Sequence, residues 1–366
     1  MTAGPAIDVT VVHPSARTGG RWIDDFVGDG RFRFRREDPS PSTPSLARRW
    51  IGRIGQAGRA VRGRPDVIVA GFPHLALATA GWAAALGSRT KVVAWHYNVP
   101  PMRRAAMRRG IGLLSRRLAL AVVHSRIERE VYHDLYGIPL DRLVFMPMQC
   151  GRLQMSRARP PVEGRYLVAM GSMQRDYATL FEAGRGLDVT VLVIADDRAV
   201  AGLDRPDNVV VRNGVPWADC LAFAAGAEAM VLPISPDNTA SGHITLVTGF
   251  YLGLPVIATR SDGLADYLED GETGRLVPPS DVPALRAAMR AMLDDEPGRK
   301  AMAGRVRARW ERRYSDEAAG RNLGAVLDYV TAGDASAPHP VPEGYEPAPA
   351  PARQGTGATC PNQGAS

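Results

Sequence analysis

The chain has 366 residues, 45% of them hydrophobic and 7% aromatic, and a formal net charge of +7. That length exceeds one ordinary domain and suits two, each able to bury a core. No window of about eighteen apolar residues occurs, which argues against a spanning helix. The three cysteines (Cys150, Cys220, Cys360) are scattered and odd in number, so they form neither a disulfide framework nor a metal site and fit a reducing cytosol.

The N-terminal stretch, residues 1–20, lacks a basic region followed by an apolar core and a cleavage site, and reads as a first strand rather than a signal peptide. Short β-branched runs follow at 8–12, 66–71, 91–96, 119–125 and 142–147. They end in Gly, Pro, His or Ser, as buried parallel strands do. Stretches of helical length (41–63, 102–118, 126–136) separate them, which predicts a parallel sheet with helices on both faces. A Gly-, Pro- and Arg-rich segment, 148–164, reads as an interdomain linker. The pattern then restarts, with strands expected at 165–171, 188–195, 208–214, 229–234, 255–259 and 274–279 and helices at 176–185, 216–226, 243–252, 262–269 and 281–294. From about Asp334 the chain is rich in Pro, Ala, Gly and Ser without periodicity, the composition of a disordered tail. The expectation is α/β: two doubly wound parallel-sheet domains, with a ligand between the carboxyl ends of their strands.

The positive charge favours anionic partners. Lys91 and Lys300 are the only lysines, however, and so strong a bias to arginine is the mark of a GC-rich genome. The arginine pairs at 35–36, 48–49, 103–104, 108–109 and 116–117 therefore read first as solvated faces. Met102–Leu120 alternates arginines with Leu, Ile and Met. It fits a packed helix with a solvated face, or a basic amphipathic helix on an anionic membrane.

Four constellations stand at strand ends. His13–Gly20, with Gly19 and Gly20, follows the first strand and precedes an expected helix at Trp22–Phe26. Glycines there let a phosphate approach the backbone, although a tight turn explains such a pair as well, and no dinucleotide fingerprint is present. His96 ends another strand in Trp95-His96-Tyr97-Asn98, placed to meet a sugar hydroxyl or to be a satisfied core histidine. Gly171-Ser172-Met173-Gln174-Arg175-Asp176 opens the second domain, with Arg175 suited to a diphosphate and Asp176 to a helix cap. The fourth, Asp237–Thr248, leads into a helix whose free N-terminal amides and dipole favour an anion. Ser241, Gly242 and Thr245 sit there, and His243 is placed to add a proton.

The stretch LGLPVIATRSDGLADYLEDGETGRLVPPSD (252–281) resembles the signature of the family 4, or group 1, retaining glycosyltransferases of GT-B fold. HSRIEREVYHDLYGIPLDRLVFMP (124–147) resembles that family's last strand and helix before the linker, and RNGVPWADCLAFAAGAEAMVLPIS (212–235) resembles its segment ending in V-L-P-S. The resemblance covers most of 8–330 and is strongest in the second half. It implies an acceptor-side domain over 1–155, a nucleotide-sugar domain over 162–314, and a helix over 315–331 crossing back to the first domain, before the tail at 334–366. It also implies roles. Gly19, Gly20, Gly171 and Ser172 would lie near the donor diphosphate, and His96 and Arg175 would serve the reaction. Ser241, Gly242, His243, Ile244 and Thr245 would hold phosphate and sugar, and Asn213 and Thr248 the nucleoside. The donor would be a UDP or GDP sugar, with no other cofactor and no metal. The acceptor would be a small or lipid-linked molecule, and the setting cytoplasmic or peripheral on the inner membrane face.

The family's two glutamates at i and i+8 are replaced here by Ala240 and Thr248. That departure keeps a rival open: a non-catalytic protein of the same fold that has lost donor turnover. An epimerase or phosphorylase is a further alternative, although Lys91 and Lys300 are poorly placed for pyridoxal phosphate. A nucleic-acid binder is suggested by charge alone, without any recognisable motif.

Overall fold

The computed structural model describes residues 6–14, 16, 18–39, 45–236, 241–332, 339–342 and 345. Runs such as Val67–Gly71 and Leu120–Val123 are buried along their whole length. A strand can bury both faces only inside a layered α/β unit, so these runs pair in parallel and helices cover them. In chain order the first unit comprises β1 (Ile7–Val12), β2 (Phe32–Arg36), α1 (Leu46–Arg62), β3 (Val67–Gly71), α2 (Phe72–Ala85), β4 (Lys91–Trp95), α3 (Ala105–Ser115), β5 (Leu120–Val123), α4 (Arg126–Tyr136) and β6 (Leu143–Phe145). The second comprises β7 (Tyr166–Met170), α5 (Tyr177–Gly184), β8 (Thr190–Ile194), α6 (Asp197–Val200), β9 (Val209–Arg212), α7 (Trp217–Ala225), β10 (Ala229–Leu232), α8 (His243–Tyr251), β11 (Val256–Thr259), α9 (Asp262–Ala265), β12 (Gly274–Val277), α10 (Val282–Asp294) and α11 (Glu296–Arg313). A last helix, α12 (Asp316–Thr331), follows.

Among the described residues the strands form two six-stranded sheets, ordered β2-β1-β3-β4-β5-β6 and β9-β8-β7-β10-β11-β12, with every strand pair parallel. The chain winds one way from β1 and then back, so the first sheet reverses between β1 and β3. The second reverses between β7 and β10. In sheets of this kind, crevices for ligands open at the carboxyl ends of the strands flanking the reversal.

α12 covers one face of the first sheet. Its Leu323, Val326, Leu327 and Val330 share a core with Val9, Val69 and Val122. The approach is close at Gly320, where an added Cβ would lie 2.5 Å from the Cβ of Phe26. The two units also meet at Tyr267, whose hydroxyl donates to the His124 carbonyl at 2.6 Å and accepts from the Met148 amide at 2.8 Å. Beside it, the Cys150 amide donates to the Tyr314 carbonyl at 2.8 Å, and Trp310 Nε1 donates to the Cys150 carbonyl at 2.9 Å.

Several expected elements differ in detail. The helix expected at Trp22–Phe26 is a 3-10 turn over Ile23–Phe26. Asp25 accepts the Trp22 amide at 2.8 Å, so that donor is already used within the turn and is not offered to an anion. The span 262–269 holds one helical turn, α9, rather than two. β2 and α2 were not anticipated. Of the segment expected as a disordered tail, Tyr345 is buried: its ring meets Phe145 edge-on at 5.2 Å and its hydroxyl lies 3.1 Å from that of Tyr314. The segment's other positions, His339–Pro342 apart, lie outside the described residues. No helix among the described residues is long and apolar enough to cross a membrane. α3 exposes Met107 and Leu113.

Candidate active site between the two sheets

The loops after β7 and β10 flank the second sheet's reversal, and they are stitched together. The Asp176 amide donates to the Pro233 carbonyl at 3.0 Å, and the Ser235 amide donates to the Gln174 carbonyl at 3.1 Å. This stitching holds Arg175 against α8. Its guanidinium donates to the Met170 and Met173 carbonyls at 3.2 and 2.8 Å, to Ser241 Oγ at 3.5 Å and to Thr245 Oγ1 at 3.1 Å. Among the described residues it forms no ion pair. Burial pulls the guanidinium below its ordinary value. A desolvated cation surrounded only by neutral acceptors is a strong site for an anion.

Gly171 makes the arrangement possible. Its φ is +103°, and an added Cβ would stand 2.9 Å from Arg175 Nη2. The Tyr177 hydroxyl donates to the Gly171 carbonyl and stiffens the turn. Asp176 caps α5 by accepting the Thr179 amide at 3.0 Å. Gly242, at φ +91°, starts α8, and its carbonyl takes the Leu246 amide at 2.9 Å. The preceding amides of the first turn point outward with the positive end of the helix dipole.

These groups line a cleft of about 570 Å³ with Gly171, Ser172, Arg175, Ser241, Gly242 and Thr245 on one wall. His243 and Ile244 complete that wall. Opposite stand Asn98–Pro101 after β4, Glu128, Tyr132 and Met148. The far wall is held by a relay: the Val99 amide donates to the Tyr132 hydroxyl at 3.0 Å, and that hydroxyl donates to Glu128 Oε1 at 3.0 Å. Glu128 also accepts from the His124 amide at 2.9 Å and from Ser125 Oγ at 3.0 Å. Burial raises its carboxyl above the ordinary range. Sequence reasoning missed this carboxylate, although the spacing Ser125-x-x-Glu128, a capping signature, was there to find it.

Other expected site residues turn their side chains away from the cleft or lie outside it. His243 does not offer its ring as a proton donor to the cleft. The ring is buried against Tyr267 at 4.8 Å, and Nε2 faces the Gly263 carbonyl at 3.1 Å. Burial lowers it to about 4, so it is neutral near pH 7 and only its backbone remains for an anion. Thr248 is buried, with its hydroxyl 3.9 Å from Cys150 Sγ. Asn213 is exposed at the end of β9, an edge strand, and donates to Asp197 at 2.7 Å. Ser172 Oγ accepts the Asp196 amide at 2.8 Å. Gly19 (φ +75°) and Gly20 are exposed at a turn whose Gly20 carbonyl is taken by Arg36. Ala240 lies outside the described residues.

His96 sits behind the far wall at φ +57°, a backbone conformation costing about 1–3 kcal/mol in a non-glycine residue. Its protonation can be read from its neighbours. His124 Nδ1 faces the Met146 carbonyl at 2.8 Å and so must carry the hydrogen. His124 Nε2 is then an acceptor, and His96 Nδ1, 2.7 Å away, donates to it. That leaves a lone pair on His96 Nε2, 3.4 Å from the Gln149 amide nitrogen. Burial first, then the neighbouring imidazoles His124 and His13, lowers His96 well below its ordinary value.

Residues 167–295 match the family model described as glycosyl transferases group 1. A GDP-mannose-dependent alpha-(1-6)-phosphatidylinositol monomannoside mannosyltransferase of Mycolicibacterium smegmatis is 30% identical over 117 residues, 31% of this chain. The matched segment spans 30% of that relative's length. Among solved structures, sucrose-phosphate synthase of Thermosynechococcus elongatus superposes with a TM-score of 0.66 at 13% identity, covering 90% of this chain and all of that one. A glycosyltransferase of Rickettsia africae gives 0.62 at 13%, covering 90% and 100%. Anabaena HepE, solved with UDP-glucose, gives 0.62 at 12%, covering 88% and 100%. The fold is GT-B, two parallel-sheet units joined across a cleft.

Proposed function

We propose that the chain is a glycosyltransferase that moves a sugar from a nucleoside-diphosphate donor to an acceptor hydroxyl, with retention of configuration and without a metal. The observation that carries this reading is Arg175, a buried guanidinium whose hydrogen-bond partners among the described residues are all neutral, set against the first turn of α8. Cleavage of the bond between the anomeric carbon and the diphosphate develops negative charge on the leaving phosphate. Arg175 and the α8 amides would stabilise that charge with donors already in place. The lone pair on His96 Nε2 would accept a hydroxyl of the transferred sugar once Gln149 yields its place. Retention rests on the resemblance to group 1 enzymes and would be read from the anomeric proton coupling of the first product.

The testing experiment is calorimetric titration with UDP, GDP, ADP and dTDP, with and without magnesium. One nucleotide is expected to bind in the micromolar range, with no gain from magnesium. Arg175→Ala should weaken it by at least about tenfold, the worth of one charge-assisted contact. A second reading, a non-catalytic protein of this fold, draws on the burial of Thr248 and the inward-turned His243 ring, which leave α8 without an ionisable side chain toward the cleft. Failure of every nucleotide to bind would favour it.

A further inference from the structure

The first sheet has its own reversal, between β1 and β3, and the residues at that point are aromatic. His13 follows β1, Phe72 follows β3 and His96 follows β4. The His13 and Phe72 rings stack at 5.2 Å with 25° between planes, and Phe72 lies 5.6 Å from His96. The row continues outward. Phe72 and His74 are nearly parallel, at 6.0 Å and 7°, and His74 meets Trp50 of α1 edge-on at 5.7 Å. Two of these rings face solvent, Phe72 at 37% exposure and Trp50 at 43%.

Phe72 is held there by its backbone. Its φ is +61°, a conformation that a bulky residue adopts only when its surroundings impose it. The preceding Gly71 is equally constrained, because an added Cβ would fall 1.9 Å from His13 Cδ2. A packing role would bury the Phe72 ring; here a strained backbone keeps a flat apolar face partly open. Beside it, His74 Nε2 is buried and has no hydrogen-bond partner among the described residues. Burial, and then the charge of Arg53, keep this imidazole neutral, and in the tautomer with its hydrogen on Nδ1 the Nε2 lone pair accepts a hydroxyl hydrogen.

We infer that Phe72, His74 and Trp50 form an acceptor subsite for a ring-bearing alcohol, whose flat face lies on Phe72 and whose hydroxyl donates to His74 Nε2. Aromatic walls with a few fixed polar groups are how proteins hold such molecules. The inference rests on the glycosyltransferase reading for its meaning, since the ring would be the sugar's destination, but binding is measurable without turnover. Both a pyranose and an aromatic ring present the required face. Arg53, over the Trp50 ring at 5.7 Å, adds one positive charge to an otherwise apolar lining.

The test is saturation-transfer NMR on the full chain without nucleotide, using methyl glucoside, umbelliferone, the methyl ether of umbelliferone, and hexanol. One ring alcohol is expected to bind and hexanol is not; the glucoside arm would mark a carbohydrate acceptor and the umbelliferone arm an aromatic one. Phe72→Leu and Trp50→Leu, checked for unchanged thermal midpoints, should each weaken ring binding by about tenfold, and Phe72→Trp should restore it. His74→Ala should abolish any preference for umbelliferone over its methyl ether, and His74→Gln should recover part of it. Absence of ring binding, or binding indifferent to both leucine variants, would overturn the subsite. Nucleotide titration separates the two readings: nucleotide without ring sinks only the subsite, and ring without nucleotide sinks only the donor site.

Discussion

At the scale of single residues, the Arg175 wall of the cleft depends on one hydrogen atom at Gly171. The position combines a φ of +103° with an Arg175 nitrogen 2.9 Å from where a Cβ would stand. Gly171→Ala therefore imposes backbone strain and pushes the guanidinium aside. The strain costs about 1–3 kcal/mol. The displaced cation should lower nucleotide affinity by about tenfold, and calorimetry on the refolded variant would show both effects. An unchanged affinity would mean that Arg175 does not meet the phosphates. Gly171, Arg175, Ser241 and Thr245 were readable in the sequence because strand, glycine loop and helix punctuate a few consecutive residues. The pairing of His96 with His124 was not. It depends on β4 and β5 lying side by side, and no local spacing reports that across twenty-eight positions. His243 was misread for a related reason: its place at the start of α8 was legible, but its inward rotation onto Tyr267 follows from packing with a distant segment.

At the scale of elements, the strands that were read correctly are those buried on both faces, where an unbroken β-branched run is the signal. β2 escaped because it is an edge strand: it alternates Phe and Arg, with Phe32 buried and Arg33 and Arg35 exposed. α2 escaped for the opposite reason. FPHLALATAGWAAA is apolar nearly all round, so no helical period stands out. The junction between the units was also invisible, although its chemistry is simple. Tyr267 on the segment after α9 gives its hydroxyl to the His124 carbonyl of the first unit and takes the Met148 amide at the start of the linker. Tyr267→Phe keeps the ring stacked on His243 and Tyr314 but strands that amide and that carbonyl. Loss of about 1–3 kcal/mol is expected in urea unfolding, the cost of leaving buried polar groups unpaired. Nucleotide affinity should change little, because Tyr267 makes none of the contacts that hold Arg175 and the phenylalanine ring keeps its place beside His243. A large fall in affinity with unchanged stability would show that Tyr267 acts on the Arg175 wall of the cleft instead.

For the whole molecule, the buried imidazoles set a common response to acid. His13, His124 and His243 each fall to about 4 from the ordinary 6.5, in every case chiefly through burial. His96 is lowered still further in the same surroundings. The unfolded chain takes up protons on these rings as pH drops below 6.5, whereas the folded chain refuses them until near 4. In that window the unfolded state binds more protons, so stability declines as pH falls. Each histidine contributes on the order of 1–3 kcal/mol by the bottom of the window. Glu128, raised by burial, works in the opposite sense: it favours the folded state in acid and loses that advantage as pH rises through its folded value. The raised carboxyls, Glu128, Asp266 and Asp316, are outnumbered by the lowered imidazoles, His13, His74, His96, His124, His243 and His339, which leaves a net loss in acid. The urea midpoint should therefore drop steadily between about pH 7 and pH 5. Because His13, His96 and His124 tie β1, β4 and β5 together, and Tyr267, packed on His243, donates to the His124 carbonyl, both units should unfold in one transition. Two separate transitions, or a flat midpoint over that range, would show that the histidine cluster does not couple the units.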